Sequence, residues 1–414
     1  MEFSKEIKEL LEEHFPGKNI YEMTLEELKS FKEKVQELRQ EYSLLELAFK
    51  TLGNAAYGSA ANNFFYFYNV NLAGDITGEC RELTKFMWDR LELFFHEDIW
   101  QRKDLWKQFE FELDESKHDW YRTQPTSVYS DTDSVYTTYG TLFDCMTQQY
   151  QNKYDTERKR IDWILKFNKE FLDKQNNKWL DEIYTPRHAH SIHEFELETV
   201  SVAAIYLKKK KYLKGLSFSK GKFFDTPKMS GTGIEIIKST TPKLCRTILT
   251  DLMKDLMFNA GTMSKEDYIF YFRNKLGEYK KQFYAAPIED ISQSVGIGAY
   301  GKYIINDEET FEFAKGCPLS VKAIGLYNHL AYKNNQKNLR TISGKIKYYN
   351  IRLSSKETSY FGFPAGELPI WAPKIDKKLQ WQKTVIDPIN RFLEVMKLPL
   401  MNAENTLQMN LFGL

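Results

Sequence analysis

The chain has 414 residues, of which 42% are hydrophobic and 28% charged, with a net charge of +1. A domain takes roughly 100–200 residues, so two to four are expected, and the composition is ordinary for a globular protein. A near-neutral chain has no global field that would attract nucleic acid, so any basic surface must be local. No apolar run approaches the roughly 20 residues that span a bilayer, so no membrane is expected among its partners.

The segment "MEFSKEIKELLEEHF" is acidic and amphipathic, unlike the basic and then apolar pattern of a signal peptide. After the turn "HFPGKN", Thr24 and Glu27 form a capping-box pattern, and Leu25, Leu28, Phe31, Val35, Leu38 and Tyr42 recur at helical spacing. One long helix is therefore expected from about residue 24 to "GNAAYG", with a shorter helix before it. Residues 76–113 and 156–182 also read as helical. Between them, "TQPTSVYSDTDSVYTTYG" has the β-branched and tyrosyl flanks of a hairpin around a short polar turn. "IHEFELETVSVAAIYLKKKKYLKGL" alternates like paired strands. From Thr241 a helix begins, with Pro242 suited to its first turn, and the tail from 285 is mixed and rich in Gly, Pro and Tyr. The four cysteines are far apart and form no CxxC, which points away from zinc and disulfides and toward a reducing, cytoplasmic setting.

Asp131 and Asp133 sit at the tip of the expected hairpin. On extended backbone, side chains two apart point the same way, so both carboxylates could converge on one divalent cation. Mg²⁺ accepts one or two carboxylates together with substrate phosphates. Taken alone, a DxD turn reads more readily as a solvated turn, since Asp favours that geometry. Residues 201–228 carry eight lysines and one acid, Asp225, a local basic concentration suited to phosphate contacts or to a solvated face. Read as strand, Lys208–Lys211 would alternate, two side chains to each face.

In combination these segments are more specific. "YSDTDS" resembles the motif of family B DNA polymerases that is usually YGDTDS, with Ser130 in place of Gly. "KTLGNAAYG" (Lys50–Gly58) resembles the fingers motif of the same family, with Ala55 and Ala56 in place of Ser-Leu. "KKKKY" (Lys208–Tyr212) resembles the family's basic motif ending in Lys-x-Tyr, and "KSTTPK" and "CPLSVKAIGLYNHL" look like thumb segments of T-even-type bacteriophage polymerases. The motifs occur in the family's order.

The resemblance implies an α+β fold: a partial fingers region at 1–58, a mixed α/β palm with an antiparallel sheet at 59–233, a mainly helical thumb at 234–406 and a clamp-binding tail at 407–414. It implies that Asp131 and Asp133 are catalytic and hold Mg²⁺, two ions per site shared with a partner chain. Lys50, Asn54 and Tyr57, at i, i+4 and i+7, would face the incoming deoxynucleoside triphosphate. Gly58, Lys209, Lys210, Lys211 and Tyr212 would contact primer-template DNA, with Glu196 close to the same site. Gln408, Leu411 and Phe412 in "NTLQMNLFGL" resemble peptides that hold a sliding clamp. The family's first metal-binding aspartate, in an Asp-x-x-Ser-Leu-Tyr-Pro motif before the fingers, has no counterpart here, and neither do the exonuclease carboxylates. The expectation is a split DNA-directed DNA polymerase, in the host cytoplasm if of phage origin, completed by an N-terminal polymerase/exonuclease chain. An expressed fragment of a longer protein is the other origin, and a non-catalytic DNA- and clamp-binding subunit is the alternative function.

Overall fold

The computed structural model describes residues 5–189, 191–297, 300–306, 309–339, 344–354 and 358–404. It is a mixed α+β structure whose described sheets are small and antiparallel. The chain divides into two compact units: Met1–Arg90 with Thr132–Val135, and Leu91–Asp131 with Tyr136–Leu414. This cut differs from the expected boundaries after residues 58 and 233. Among the described residues no helix is long and apolar enough to cross a membrane.

The first unit is helical. Helix α1 (Lys5–His14) is followed by a 3₁₀ turn at Ile20–Glu22 and by α2 (Leu25–Ala61). The expected capping box is present: the Thr24 hydroxyl accepts from the Glu27 amide at 3.3 Å, and the Glu27 carboxylate accepts from the Thr24 amide at 2.9 Å. That carboxylate also pairs with Lys18; this bond first and the Thr24 amide next hold the Glu27 pKa down to about 2. Phe15 meets Phe31 edge-on at 6.0 Å, and Met23 and Phe31 are buried. Beyond Phe31 the only residue of α2 that is buried is Ala60. An aromatic turn, 62–69, leads into α3 (Val70–Leu93).

The second unit holds the extensive core. Its first part is an aromatic cluster in which Trp163 and Phe167 stack at 4.9 Å, with Phe109 edge-on to Phe167 and Phe111 edge-on to Trp163. Here lies the hairpin of β1 (Ser127–Asp131) and β2 (Ser134–Thr137), whose tip residues Thr132–Val135 group with the first unit. A three-stranded sheet follows: β3 (Thr199–Lys208), β4 (Lys211–Ser219) and β5 (Lys222–Thr232), in that order. The third strand escaped the sequence pattern because Gly and Pro interrupt its alternation. Lys220 and Gly221, both at positive φ, make the two-residue turn into it.

The helix Lys243–Phe258 starts directly after Pro242, as expected, and buries Cys245, Ile248, Leu249, Leu252, Met253 and Leu256 on one face. Fully burying one such aliphatic side chain contributes about 1.5–3 kcal/mol. The face packs into a core shared with Phe272, Phe361, Trp381 and Phe392. A second three-stranded sheet places the strand Gly344–Arg352 between β6 (Gln293–Ile297) and the strand Thr358–Pro364. Buried Gln380 ties it down: its carbonyl accepts from the Asn350 amide at 2.9 Å, and its amide donates to the Ile291 carbonyl at 2.6 Å. All four cysteines are free thiols, and burial pushes Cys145 up to about 11 and Cys245 up to about 12.

Candidate active site

The hairpin tip differs from an extended strand. Thr132 adopts φ +57°, the left-handed region that a β-branched residue rarely occupies. A two-residue hairpin turn needs positive φ at its first central position, so Thr132 takes that position and Asp133 the next. The alternation that would aim both carboxylates to one side therefore does not describe this backbone. Asp131 closes β1 and is half-buried, whereas Asp133 stands exposed on the turn. The Thr132 carbonyl accepts a bond from the Thr84 hydroxyl of α3 at 3.0 Å. At the base of the hairpin, the Glu92 carboxylate accepts from the Thr126 and Ser127 amides. Strain of about 1–3 kcal/mol at one such residue persists only where neighbours hold it.

The four lysines are corrected in the same way. Lys208 pairs with Lys211 across β3 and β4, and Lys209–Lys210 form the turn between them, with Lys210 at φ +58°. They are a hairpin tip rather than an alternating strand, so the side chains fan out from a turn. Lys208, Lys209 and Lys210 are exposed and Lys211 is half-buried. Two glycines make room behind the tip. A Cβ on Gly233 (φ +63°) would lie 2.3 Å from the Lys210 carbonyl oxygen, and one on Gly231 would lie 2.7 Å from that of Tyr212.

Within the second unit the lysine turn meets strand β1. The Lys210 amide donates to the Tyr129 hydroxyl at 2.7 Å, joining residues 81 apart in the chain. The Lys210 ammonium stands 3.8 Å from the Asp131 carboxylate, whose side chain is 16% exposed against 61% for the lysine. Behind them four tyrosines interlock. Tyr129 stacks on Tyr206 at 4.7 Å and meets Tyr136 and Tyr212 at 5.4 Å each, and the hydroxyls of Tyr136 and Tyr212 are 3.3 Å apart. The Lys214 ammonium lies 4.7 Å from the Tyr136 ring centroid and 5.6 Å from that of Tyr212. Burial pushes its pKa down, so ring faces offset part of the desolvation. Burial first, and the neighbouring phenols next, push the Tyr206 phenol up. The tyrosine rings form an aromatic backing for one largely buried carboxylate and one exposed ammonium.

Of the residues singled out from sequence, Asp131, Lys210 and Tyr212 come together, with Lys209, Lys211 and Asp133 on the same two turns. Lys50, Asn54, Tyr57 and Gly58 lie on α2 of the first unit, all exposed, with the three side chains on one helical face. Glu196 lies beside Asp173, whose carboxyl is pushed up by burial first and by the charge of Glu196. Gln408, Leu411 and Phe412 lie outside the described residues. Sequence reasoning passed over Tyr206, Lys214, Gly231 and Gly233. The "GTG" at 231–233 was the available signal for the glycines, a close-approach pattern with no hairpin yet to approach.

Among the described residues no group of three or more His, Cys, Asp or Glu gathers as a metal site. Asp131 at the end of β1 and Asp133 on the turn, with Thr132 between them, each offer a hard oxygen donor, chemistry suited to Mg²⁺ but short of a full coordination sphere. A scan against protein-family models finds no match to this chain, and a search of curated proteins finds none either.

Proposed function

We propose that this chain carries the catalytic carboxylates and the nucleotide- and primer-binding residues of a family B type DNA-directed DNA polymerase. In this reading α2 belongs to the fingers, the two tyrosine-linked hairpins to the palm, and the region from residue 234 to the thumb. One observation supports it above the others. The Lys210 clip onto Tyr129 and Asp131 unites two segments, 81 residues apart, that resemble separate polymerase motifs. A DxD turn in plain solvent needs no such clip.

The reaction joins the primer 3′-oxygen to the α-phosphorus of a deoxynucleoside triphosphate. The bond from that phosphorus to the bridging oxygen breaks, pyrophosphate leaves, and the hydroxyl proton passes to solvent. Asp131 and Asp133 would hold Mg²⁺ together with a carboxylate from a polypeptide segment outside these 414 residues. When bound, Mg²⁺ neutralises charge on the attacking and leaving oxygens. Lys210, tethered by its own backbone, swings its ammonium between Asp131 and the primer-terminal phosphate. Lys209 and Lys211 meet backbone phosphates without reading sequence. Lys50 supplies a point charge to the triphosphate, Asn54 a hydrogen-bonding amide, and Tyr57 a flat face to the nascent base pair. Gln408, Leu411 and Phe412 remain proposed clamp contacts.

The test is primer extension with Mg²⁺ by this chain alone, by this chain with the polypeptide that supplies the missing carboxylate, and by the same mixture with Asp133→Ala. The expected result is extension in the second case only, with the variant reduced about a thousandfold or more. DNA binding without extension in every case would favour the non-catalytic subunit instead.

A further inference from the structure

One charged side chain of the second unit takes no part in the proposed reaction. Lys214 sits on β4, the central strand of its sheet, and is 9% exposed. Across the sheet it is paired with Ala204 on β3 and Ser230 on β5, and along its own strand the same face carries Tyr212 and Leu216. None of these is charged. Among the described residues no hydrogen bond or ion pair reaches the ammonium. The faces of Tyr136 and Tyr212 are its near neighbours, and the charge of Glu198 acts on it from beyond ion-pair range.

This arrangement weakens the fold. Taking an ammonium out of water is offset only by a counter-ion and hydrogen bonds, and two ring faces return a fraction of that cost. The downward push of burial on its pKa is the same cost expressed as titration. A methionine, unbranched and uncharged, would fill the space without it. A residue that breaks the rules of the core in this way marks a functional constraint. The rings beside Lys214 lead to the lysine turn. Tyr136 and Tyr212 each meet Tyr129 at 5.4 Å, and the Tyr129 hydroxyl accepts from the Lys210 amide at 2.7 Å.

We propose that Lys214 is a positioning residue: its ammonium fixes the tilt of the Tyr136 and Tyr212 rings, these hold Tyr129, and Tyr129 sets where the Lys210 turn stands beside Asp131. It is not a catalytic residue, since it acts only through the rings. A cation is attracted to a ring face and so selects one tilt, whereas a thioether also accepts a ring edge. That the turn so held binds the primer terminus rests on the polymerase reading; that Lys214 holds the turn does not.

The experiment compares Lys214→Met, Lys214→Arg and Tyr136→Leu in the full chain. Lys214→Met removes the charge and keeps an unbranched side chain. Its thermal midpoint is expected to rise by about 2–4 °C, while the Lys210 amide exchanges with solvent about tenfold faster. Lys214→Arg keeps a cation on the rings, so its exchange at Lys210 stays within about threefold of wild type. Tyr136→Leu removes a ring between Lys214 and Tyr129 and also speeds exchange. Combined with Lys214→Met it is no faster than the faster single variant, because both break one path. In Mg²⁺-dependent extension by the complex with the polypeptide that supplies the missing carboxylate, Lys214→Met raises the KM for primer-template about tenfold and leaves kcat within about twofold. A lower midpoint in Lys214→Met overturns the proposal, since loosening would then follow from lost packing. A raised midpoint with unchanged exchange at Lys210, or effects that add in the double variant, overturns it too. If exchange responds as expected but the wild-type complex does not extend a primer, the polymerase reading fails and the positioning role stands. If the wild type extends and Lys214→Met leaves the KM unchanged, the positioning role fails and the reading stands.

Discussion

The helix Lys243–Phe258 and helix α2 carry the same kind of apolar periodicity, yet they end in opposite environments. The first is 16 residues long and buries six apolar side chains. The second is 37 residues long, and Phe31 and Ala60 are its only buried residues. The contrast teaches that a periodic stripe specifies a helix and the side of it that wants cover, but not whether this chain supplies the cover. For Lys243–Phe258 the cover comes from Phe272, Phe361, Trp381 and Phe392. For α2 beyond Phe31, the stripe is left exposed by the described residues of the first unit.

The largest expected effect sharpens that contrast directly. Leu249→Ala should destabilise the second unit by about 2–5 kcal/mol, read as a shift of the urea midpoint by tryptophan fluorescence. A loss below about 1 kcal/mol would mean that this core is not close-packed and the contrast is false. Next comes Gly233→Ala, which combines a left-handed backbone with a contact of 2.3 Å to the Lys210 carbonyl. About 2–4 kcal/mol is expected, and the variant should loosen the Lys210 turn first, seen as faster amide exchange at Lys210–Tyr212.

A smaller effect depends on pH. Burial would raise the Glu235 carboxyl, but its bond to Arg391 at 2.7 Å, with Lys238 nearby, outweighs burial and holds the carboxyl below its ordinary value. A depressed carboxylate contributes stability above its unfolded pKa of about 4.3 and loses it as pH falls through the folded value. Arg391→Met should therefore cost about 1–2 kcal/mol at pH 7, discounted for the half-exposed guanidinium, and almost nothing near pH 2. An equal cost at both pH values would show that the pair does not carry the effect. Tyr129→Phe removes the bond from the Lys210 amide and should cost about 0.5–1 kcal/mol, because that amide is exposed enough to turn to water. Smallest of all, Leu45→Ala should change the stability of the isolated chain by less than about 0.5 kcal/mol. A loss above about 1 kcal/mol would mean that the stripe of α2 is already covered, and the comparison would break.

Much of this was legible in the residues. Thr24 and Glu27 announced the start of α2, Pro242 the start of the helix after it, and the Val-Tyr flanks of Asp131 and Asp133 announced a hairpin. The errors fell at the turns. Both the aspartate pair and the four lysines were assigned the alternation of a strand; the aspartates lie at the hairpin tip that was expected and the lysines at one that was not, and each tip holds a non-glycine residue at positive φ. Local propensity disfavours Thr132 and Lys210 in that conformation, and tertiary bonds such as those from Thr84 to Thr132 and from Lys210 to Tyr129 help to hold them there. The tyrosine cluster was invisible for a related reason, since its members come from four strands of two separate sheets and only the packing of those sheets brings them together.

By itself the sequence determined which segments are helices and hairpins, where several of them start, and which charged residues crowd onto short turns, because caps, periodicity and turn chemistry act over a few residues. The tertiary structure decided that Lys210 reaches Asp131, that Lys214 lies buried against tyrosine rings, and that one apolar stripe is covered while another is not. Those outcomes depend on contacts between residues tens of positions apart, and no local preference encodes such distances.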